Sequence, residues 1–138
     1  MIVLDTSVLS RVLGRSPRLV GRETPEEAVF RGIVSRGMEF RVPGVVLQEF
    51  LTGARSPEQA ARLRGLAEHL PIDLATADDH RSAAAISNEC RWNGVATDLA
   101  DCLIAAQTIR LRGALFTLDR DFDRMASCCD LKLWRVER

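Results

Sequence analysis

Ile2-Val3-Leu4-Asp5-Thr6 places three apolar, β-favouring residues directly before a carboxylate. The apolar run has no polar alternation, which is typical of a strand buried on both faces of a parallel sheet. Ligands of open α/β sheets bind beyond the carboxyl ends of the strands, so we expect Asp5 to face a functional edge. The alternative is that Asp5 caps the helix that follows, and the sequence leaves both interpretations open.

Length and composition indicate an ordinary globular protein. The 138 residues suit one domain, 46% of them are apolar and 28% are charged, so we expect a single domain over residues 1–138. No apolar run approaches the ~18 residues that a membrane span requires, and no leader peptide is evident, so we expect a cytoplasmic location. The net charge of zero argues against nucleic-acid binding by bulk electrostatics alone.

Cysteine and histidine residues do not form a recognisable zinc site or disulfide framework. The spacing contains no CxxC pair, and both histidines lie in segments that read as amphipathic helices without cysteine partners. The residues concerned are Cys90, Cys102, Cys128, Cys129, His69 and His80.

Strand and helix signals alternate along the whole chain. Helix starts are marked by Thr24-Pro25-Glu26-Glu27 and by Ser56-Pro57-Glu58-Gln59, each with an N-cap residue followed by proline. Such alternation predicts an α/β fold, a three-layer α/β/α sandwich with a mostly parallel central sheet. The predicted strands cover residues 2–4, 39–42, 71–74, 114–117 and 131–134.

Acidic residues follow the predicted strands at equivalent places. Asp5 and Asp119 come after strands, while Glu49 and Asp101 lie early in helices. In a parallel sheet these carboxylates converge on one edge, where they repel one another unless a cation neutralises them. Hard oxygen ligands favour Mg²⁺ or Mn²⁺, and such ions support phosphodiester hydrolysis.

Each acid also has a purely structural interpretation. Asp101 lies three residues after Asp98 and could complete a capping box, the segment around Asp119 and Asp121 could be a polar turn, and Glu49 could be a solvated helix residue. These interpretations do not explain why all four acids fall at the same edge.

Four segments together resemble the PIN domain, and more narrowly the VapC toxins of bacterial type II (VapBC) toxin–antitoxin modules. They are IVLDTSVL (residues 2–9), VLQEFLTG (46–53), DCLIAA (101–106) and GALFTLDRDF (113–122). The resemblance implies an endoribonuclease that depends on Mg²⁺ or Mn²⁺ and cleaves RNA, with tRNA or rRNA as the expected substrate. It further implies a VapB-type antitoxin partner and a homodimer.

The resemblance also assigns roles to individual residues. Asp5, Glu49, Asp101 and Asp119 match the catalytic, metal-binding acidic quartet, and Asp121 matches an additional acid of many members. The small polar residues around that site are matched by Thr6, Ser7 and Thr117, while Asp98 either lines the site or caps a helix. Arg15 and Arg18 lie in an arginine-rich segment, residues 14–23, and are candidates for holding RNA phosphates or for solvating a loop.

Other functions remain possible on the same pattern. A housekeeping PIN nuclease of RNA processing and a PIN-fold binding module without activity are both compatible with it. Phosphotransfer enzymes of the haloacid-dehalogenase type are disfavoured, because they require a second acid where this chain has Ser7.

Overall fold

Helices and strands alternate through the computed structural model, which describes residues 1–14 and 22–136. The sequence predicted this alternation, and the structure confirms it. Among the described residues, no helix is both long and apolar enough to cross a bilayer. In chain order the elements are β1 (Ile2–Leu4), α1 (Thr6–Leu13), α2 (Pro25–Ser35), β2 (Phe40–Pro43), α3 (Gly44–Thr52), α4 (Pro57–Ala67), β3 (Ile72–Asp73), α5 (Ala77–Trp92), α6 (Leu99–Arg110), β4 (Ala114–Phe116), α7 (Asp121–Ala126) and β5 (Leu133–Trp134).

The five strands form one sheet in the order β3-β2-β1-β4-β5. All four neighbouring pairs are parallel, with Leu4 opposite Phe116 in the pairing of β1 with β4. The chain moves outward from β1 to β3 and then crosses back to β4, so right-handed crossovers place the helices on both faces of the sheet. The predicted three-layer α/β/α fold is therefore confirmed, and its topological switch point lies between β1 and β4.

β1 lies at the centre of the core. Ile2, Val3 and Leu4 are at most 1% exposed, as the unbroken apolar run predicted for a strand covered on both faces. Phe116 of β4 and Phe122 of α7 are completely buried beside them. This packing fixes the position of Asp5, because it is the next residue after a strand that has no freedom to move.

The predicted helix starts are confirmed by their capping contacts. The Thr24 hydroxyl accepts a hydrogen bond from the Glu27 amide, and the Ser56 hydroxyl accepts one from the Gln59 amide. Both edge strands are shorter than the sequence suggested, with two residues each in β3 and β5. Helix α7 was not predicted from the sequence. It begins at Asp121, a residue for which the structural interpretation had been a polar turn.

Candidate active site

The candidate site lies at the carboxyl ends of β1 and β4. The ladder between these strands continues one residue past β1, since the Asp5 amide donates to the Phe116 carbonyl at 3.1 Å. Asp5 and Thr117 therefore leave the sheet side by side at its switch point. This is the place where open α/β sheets bind ligands.

Asp5 directs its carboxylate into a pair of hydroxyl groups. Its Oδ2 accepts hydrogen bonds from Ser7 Oγ at 2.9 Å and from Thr117 Oγ1 at 2.7 Å. Asp5 occupies the N-cap position of α1, but its side chain makes no capping hydrogen bond. The capping alternative therefore does not account for this carboxylate, which is 5% exposed and has no hydrogen bond to Oδ1 from the described residues.

The two hydroxyl groups also fix the loop after β4. Ser7 Oγ accepts from the Leu118 amide at 2.9 Å, and Thr117 Oγ1 accepts from the Asp119 amide at 3.0 Å. Each hydroxyl thus donates to Asp5 and accepts from the loop. The location of the Asp119 backbone in the structure is in this way coupled to that of Asp5.

Glu49 projects from α3 toward the start of α1. Its Oε1 accepts a hydrogen bond from Thr6 Oγ1 at 2.8 Å, although the residue is exposed overall. This contact links the Glu49 side chain to the first residue of α1. The geometry therefore favours the interpretation of Glu49 as part of the acidic group.

Asp101, in the first turn of α6, is the electrostatic centre of the group. The pKa of Asp101 is raised to about 7, mainly by burial and then by the negative charges of Asp98, Asp5, Asp119 and Glu49, in that order. Its carboxylate has no hydrogen-bond or ion-pair partner among the described residues. Four other acids therefore act on one half-buried carboxylate that forms no hydrogen bond or ion pair within the described part of the chain.

Asp98 caps α6. Its Oδ1 accepts a hydrogen bond from the Asp101 amide at 2.8 Å, so the capping interpretation describes this residue correctly. Asp101 does not return the contact, which means that it is not the reciprocal acid of a capping box. Together with Asp121, both residues line a small cleft of about 230 Å³ between α6 and α7.

Asp119 is held mainly through its backbone. Its Oδ1 accepts from the Asp121 amide at 2.9 Å, which closes a turn before α7. Arg135, just after β5, donates to the carbonyl oxygens of Thr117 and Asp119. Sequence reasoning missed Arg135, because no local pattern links a residue after the last strand to this loop.

A family model for the PIN domain matches residues 2–127 of the chain. The chain belongs to the PIN domain family. The match includes all of the acids described above, from Asp5 to Asp121. The resemblance noted in the sequence is therefore confirmed at the level of the family.

Solved structures with a similar fold include VapBC and VapC proteins. VapBC2 from Rickettsia felis, bound to a DNA fragment from its promoter, has a TM-score of 0.78 at 20% identity, with 99% of this chain and 100% of that chain covered. FitAcB from Neisseria gonorrhoeae has a TM-score of 0.75 at 17% identity, covering 97% and 96%. VapC20 from Mycobacterium tuberculosis, described as a toxin that cleaves the sarcin-ricin loop, has a TM-score of 0.66 at 17% identity, covering 95% and 98%. These similarities show that the fold is shared.

The chemistry of the PIN domain acids fits a hard divalent cation. All candidate ligands are carboxylate oxygens, and Asp101 is a repelled carboxylate for which a cation would be the missing partner. Among residues 1–14 and 22–136, however, no three Asp, Glu, His or Cys side chains stand close enough to form a ready-made metal cage. Asp98, Asp5, Asp119 and Glu49 lie near enough to Asp101 to raise its pKa, although they form no such cage.

The remaining sequence prediction concerns Arg15 and Arg18. Both lie outside the residues that the structure describes. Their role in holding RNA therefore stays a prediction.

Proposed function

We propose that this PIN domain protein is the toxin of a type II toxin–antitoxin pair and acts as a metal-dependent endoribonuclease. The observation that carries the proposal is Asp101, a half-buried carboxylate without a hydrogen-bond or ion-pair partner among the described residues, whose pKa is raised by burial and by four surrounding acids. Such an arrangement lowers stability in the absence of a ligand, which is typical of functional sites. The family and the toxin–antitoxin origin of the similar folds support the choice of nuclease chemistry.

Asp5, Glu49, Asp101 and Asp119 would hold Mg²⁺ or Mn²⁺, with Asp121 as an additional acid. At these residues a bound ion would supply Lewis-acid chemistry, that is, polarisation of a phosphodiester and a lower pKa for a bound water. The chain's own hydroxyl groups orient the ligands. Those of Ser7 and Thr117 fix Asp5, and that of Thr6 fixes Glu49.

The proposed partners follow from the similar structures. The similar structures include VapBC2 from Rickettsia felis and one described as a toxin–antitoxin complex, from Klebsiella pneumoniae, so we propose a VapB-type antitoxin for this chain. We further propose tRNA or rRNA as substrate, a homodimer as the assembly and the cytoplasm as the location. A single domain spanning residues 1–138 completes the proposal.

Cleavage of labelled total RNA tests the function. We expect cutting with Mg²⁺ or Mn²⁺, none with EDTA, and a loss of at least ~100-fold for Asp5→Asn, because removal of one ligand charge weakens metal binding and activity strongly. Asp130→Asn, an exposed acid outside the group, is the matched control and should cut like the wild type.

The assay also separates the alternatives. Undiminished cutting by Asp5→Asn would refute the assignment of the site, and RNA binding without cutting by the wild type would identify a binding module. Sequencing of the cut ends would distinguish one toxin-like target from the processing sites of a housekeeping nuclease. Growth arrest on expression, relieved by the small reading frame next to the gene, would support the toxin.

A further inference from the structure

Arg135 makes an unusual set of contacts for a residue after the last strand. Its Nη1 donates to the Thr117 carbonyl at 2.8 Å, and its Nη2 donates to the Asp119 carbonyl at 3.0 Å and to Asp123 Oδ1 at 2.9 Å. One guanidinium thus binds both sides of the loop between β4 and α7. The same loop carries Asp119 toward the other acids.

The register of the sheet places Arg135 at this loop. Phe116 pairs with Trp134 in the ladder of β4 with β5, and their rings stack with centroids 6.4 Å apart. Arg135 is therefore the neighbour of Thr117, the first residue beyond each strand. The position of its backbone is set by the core, so its side chain has a rigid base from which to hold the loop.

The contacts of Arg135 indicate that its side chain fixes the shape of the loop between β4 and α7. Arg135 Nε is buried and has no hydrogen-bond partner among the described residues, which is an energetic cost that the fold bears. Asp123 partly neutralises the guanidinium and fixes the direction of its fork. One N–H of Nη1 and one of Nη2 donate to the two backbone carbonyls that flank Leu118.

We propose that Arg135 is a positioning residue that holds Asp119 in place for the divalent cation. The inference rests on the proposed function, because it takes Asp119 as a ligand. The loop carries Asp119, whose charge and that of Asp101 repel each other, so the loop tends to move outward when its backbone is free. Arg135 opposes that movement through Thr117 and Asp119, without contacting metal or RNA itself.

The test compares two arginines with similar contacts. Arg110 also bridges carboxylates and a carbonyl, those of Asp73, Asp79 and Leu74, but none of these belongs to the acidic group. Mn²⁺ affinity of the full chain is measured by calorimetry, amide hydrogen exchange at residues 118–120 by mass spectrometry, and melting temperature by calorimetric scanning. The variants are Arg135→Ala, Arg135→Lys and Arg110→Ala.

We expect Arg135→Ala to weaken Mn²⁺ binding by at least ~10-fold, the usual effect of losing a residue that orients a ligand, and to speed exchange in the loop. Arg110→Ala should lower the melting temperature while Mn²⁺ affinity and loop exchange stay at wild-type values. Arg135→Lys keeps the charge but cannot bind two carbonyls and a carboxylate with one planar fork, so it should resemble Arg135→Ala.

Wild-type Mn²⁺ affinity in Arg135→Ala, or full affinity in Arg135→Lys, would overturn the positioning role. The first result would show that the loop keeps its place without the arginine, and the second that charge alone matters. In either case, loss of Mn²⁺ binding in Asp5→Asn would show that the proposed function survives. Absence of Mn²⁺ binding by the wild type would overturn both.

Discussion

The acids of the candidate site are restrained by different neighbours. Asp5 is held by two hydroxyl groups, Glu49 by one, and Asp119 by a backbone amide. Asp101 has no such partner in the described part of the chain, and its pKa is raised to about 7. The free energy that a cation can supply is therefore largest at Asp101.

Asp101→Asn should stabilise the metal-free protein in a pH-dependent way. The folded-state pKa of Asp101 is raised to about 7 from 3.8, so this group's contribution to stability is fully present below pH ~4 and lost as the pH rises to about 7. The variant should therefore gain stability over the wild type between these values, reaching about 1–3 kcal/mol at pH 8 after allowance for solvent screening.

Urea unfolding in EDTA at several pH values measures this difference. Asp130→Asn serves as the control, because it changes the net charge by the same amount at an exposed position. A gain for Asp101→Asn that does not change with pH would contradict the assigned protonation.

Thr117→Val should impair activity more than its structural cost explains. The change removes the donor to Asp5 and the acceptor of the Asp119 amide at a residue that is 1% exposed, for about 1–2 kcal/mol of stability. We expect at least ~10-fold slower RNA cleavage, as for loss of a residue that orients a ligand.

The comparison variant for Thr117→Val is Thr108→Val. Thr108 is also buried, and its hydroxyl donates to the Ile104 carbonyl within α6. Chemical unfolding and RNA cleavage are measured for both proteins. Equal cleavage rates would show that the hydroxyl of Thr117 is structural only.

Helix α7 shows which elements a sequence reveals. The helix starts at Thr24 and Ser56 can be predicted from the sequence, because the capping side chain and the amide that donates to it lie only three residues apart. α7 has six residues, too few for a helical period, and its only internal signal is the buried pair Phe122 and Met125.

The candidate site could be predicted only in part, because some of its features follow from general rules and others from contacts between distant residues. Convergence of Asp5 and Asp119 follows from a rule about parallel strands and requires no knowledge of side-chain contacts. The shared use of Ser7 and Thr117 by Asp5, and the reach of Arg135, depend on pairs far apart in the chain. No local pattern encodes such pairs.

Asp98→Ala and Asp98→Asn should separate the cap of α6 from the chemistry. Both remove the same charge, but asparagine keeps the acceptor for the Asp101 amide, so only alanine should lose the cap, about 1 kcal/mol by urea unfolding. We expect RNA cleavage by both variants to stay within a few-fold of the wild type. A stable but inactive Asp98→Asn would instead make Asp98 a member of the site.

The sheet topology determines where the acids lie. β1 and β4 are neighbours at the switch point. Helix α3, which carries Glu49, follows β2 on one side of β1, and helix α6, which carries Asp101, leads into β4 on the other side. One region is therefore bordered by both halves of the molecule. A ligand bound there should stabilise the fold as a unit.

Mn²⁺ should raise the melting temperature of the wild type. At a concentration 100-fold above the dissociation constant, binding contributes about 2.7 kcal/mol, which corresponds to roughly 5–10 °C for a protein of this size. Asp101→Asn should show a much smaller shift, although it starts from a higher melting temperature without metal. Identical shifts in the two proteins, measured by scanning calorimetry, would place the cation elsewhere.

The pairing of Ile2 with Ala114 has a consequence during translation. The ribosome synthesises β1 first, but β4, which pairs with one edge of β1, is synthesised only after α6. A nascent polypeptide that stops before Thr117 possesses Asp5 but lacks both Asp119 and the Thr117 hydroxyl that donates to Asp5. For the proposed ribonuclease, an unfinished product would therefore be harmless to the ribosomal and transfer RNA around it.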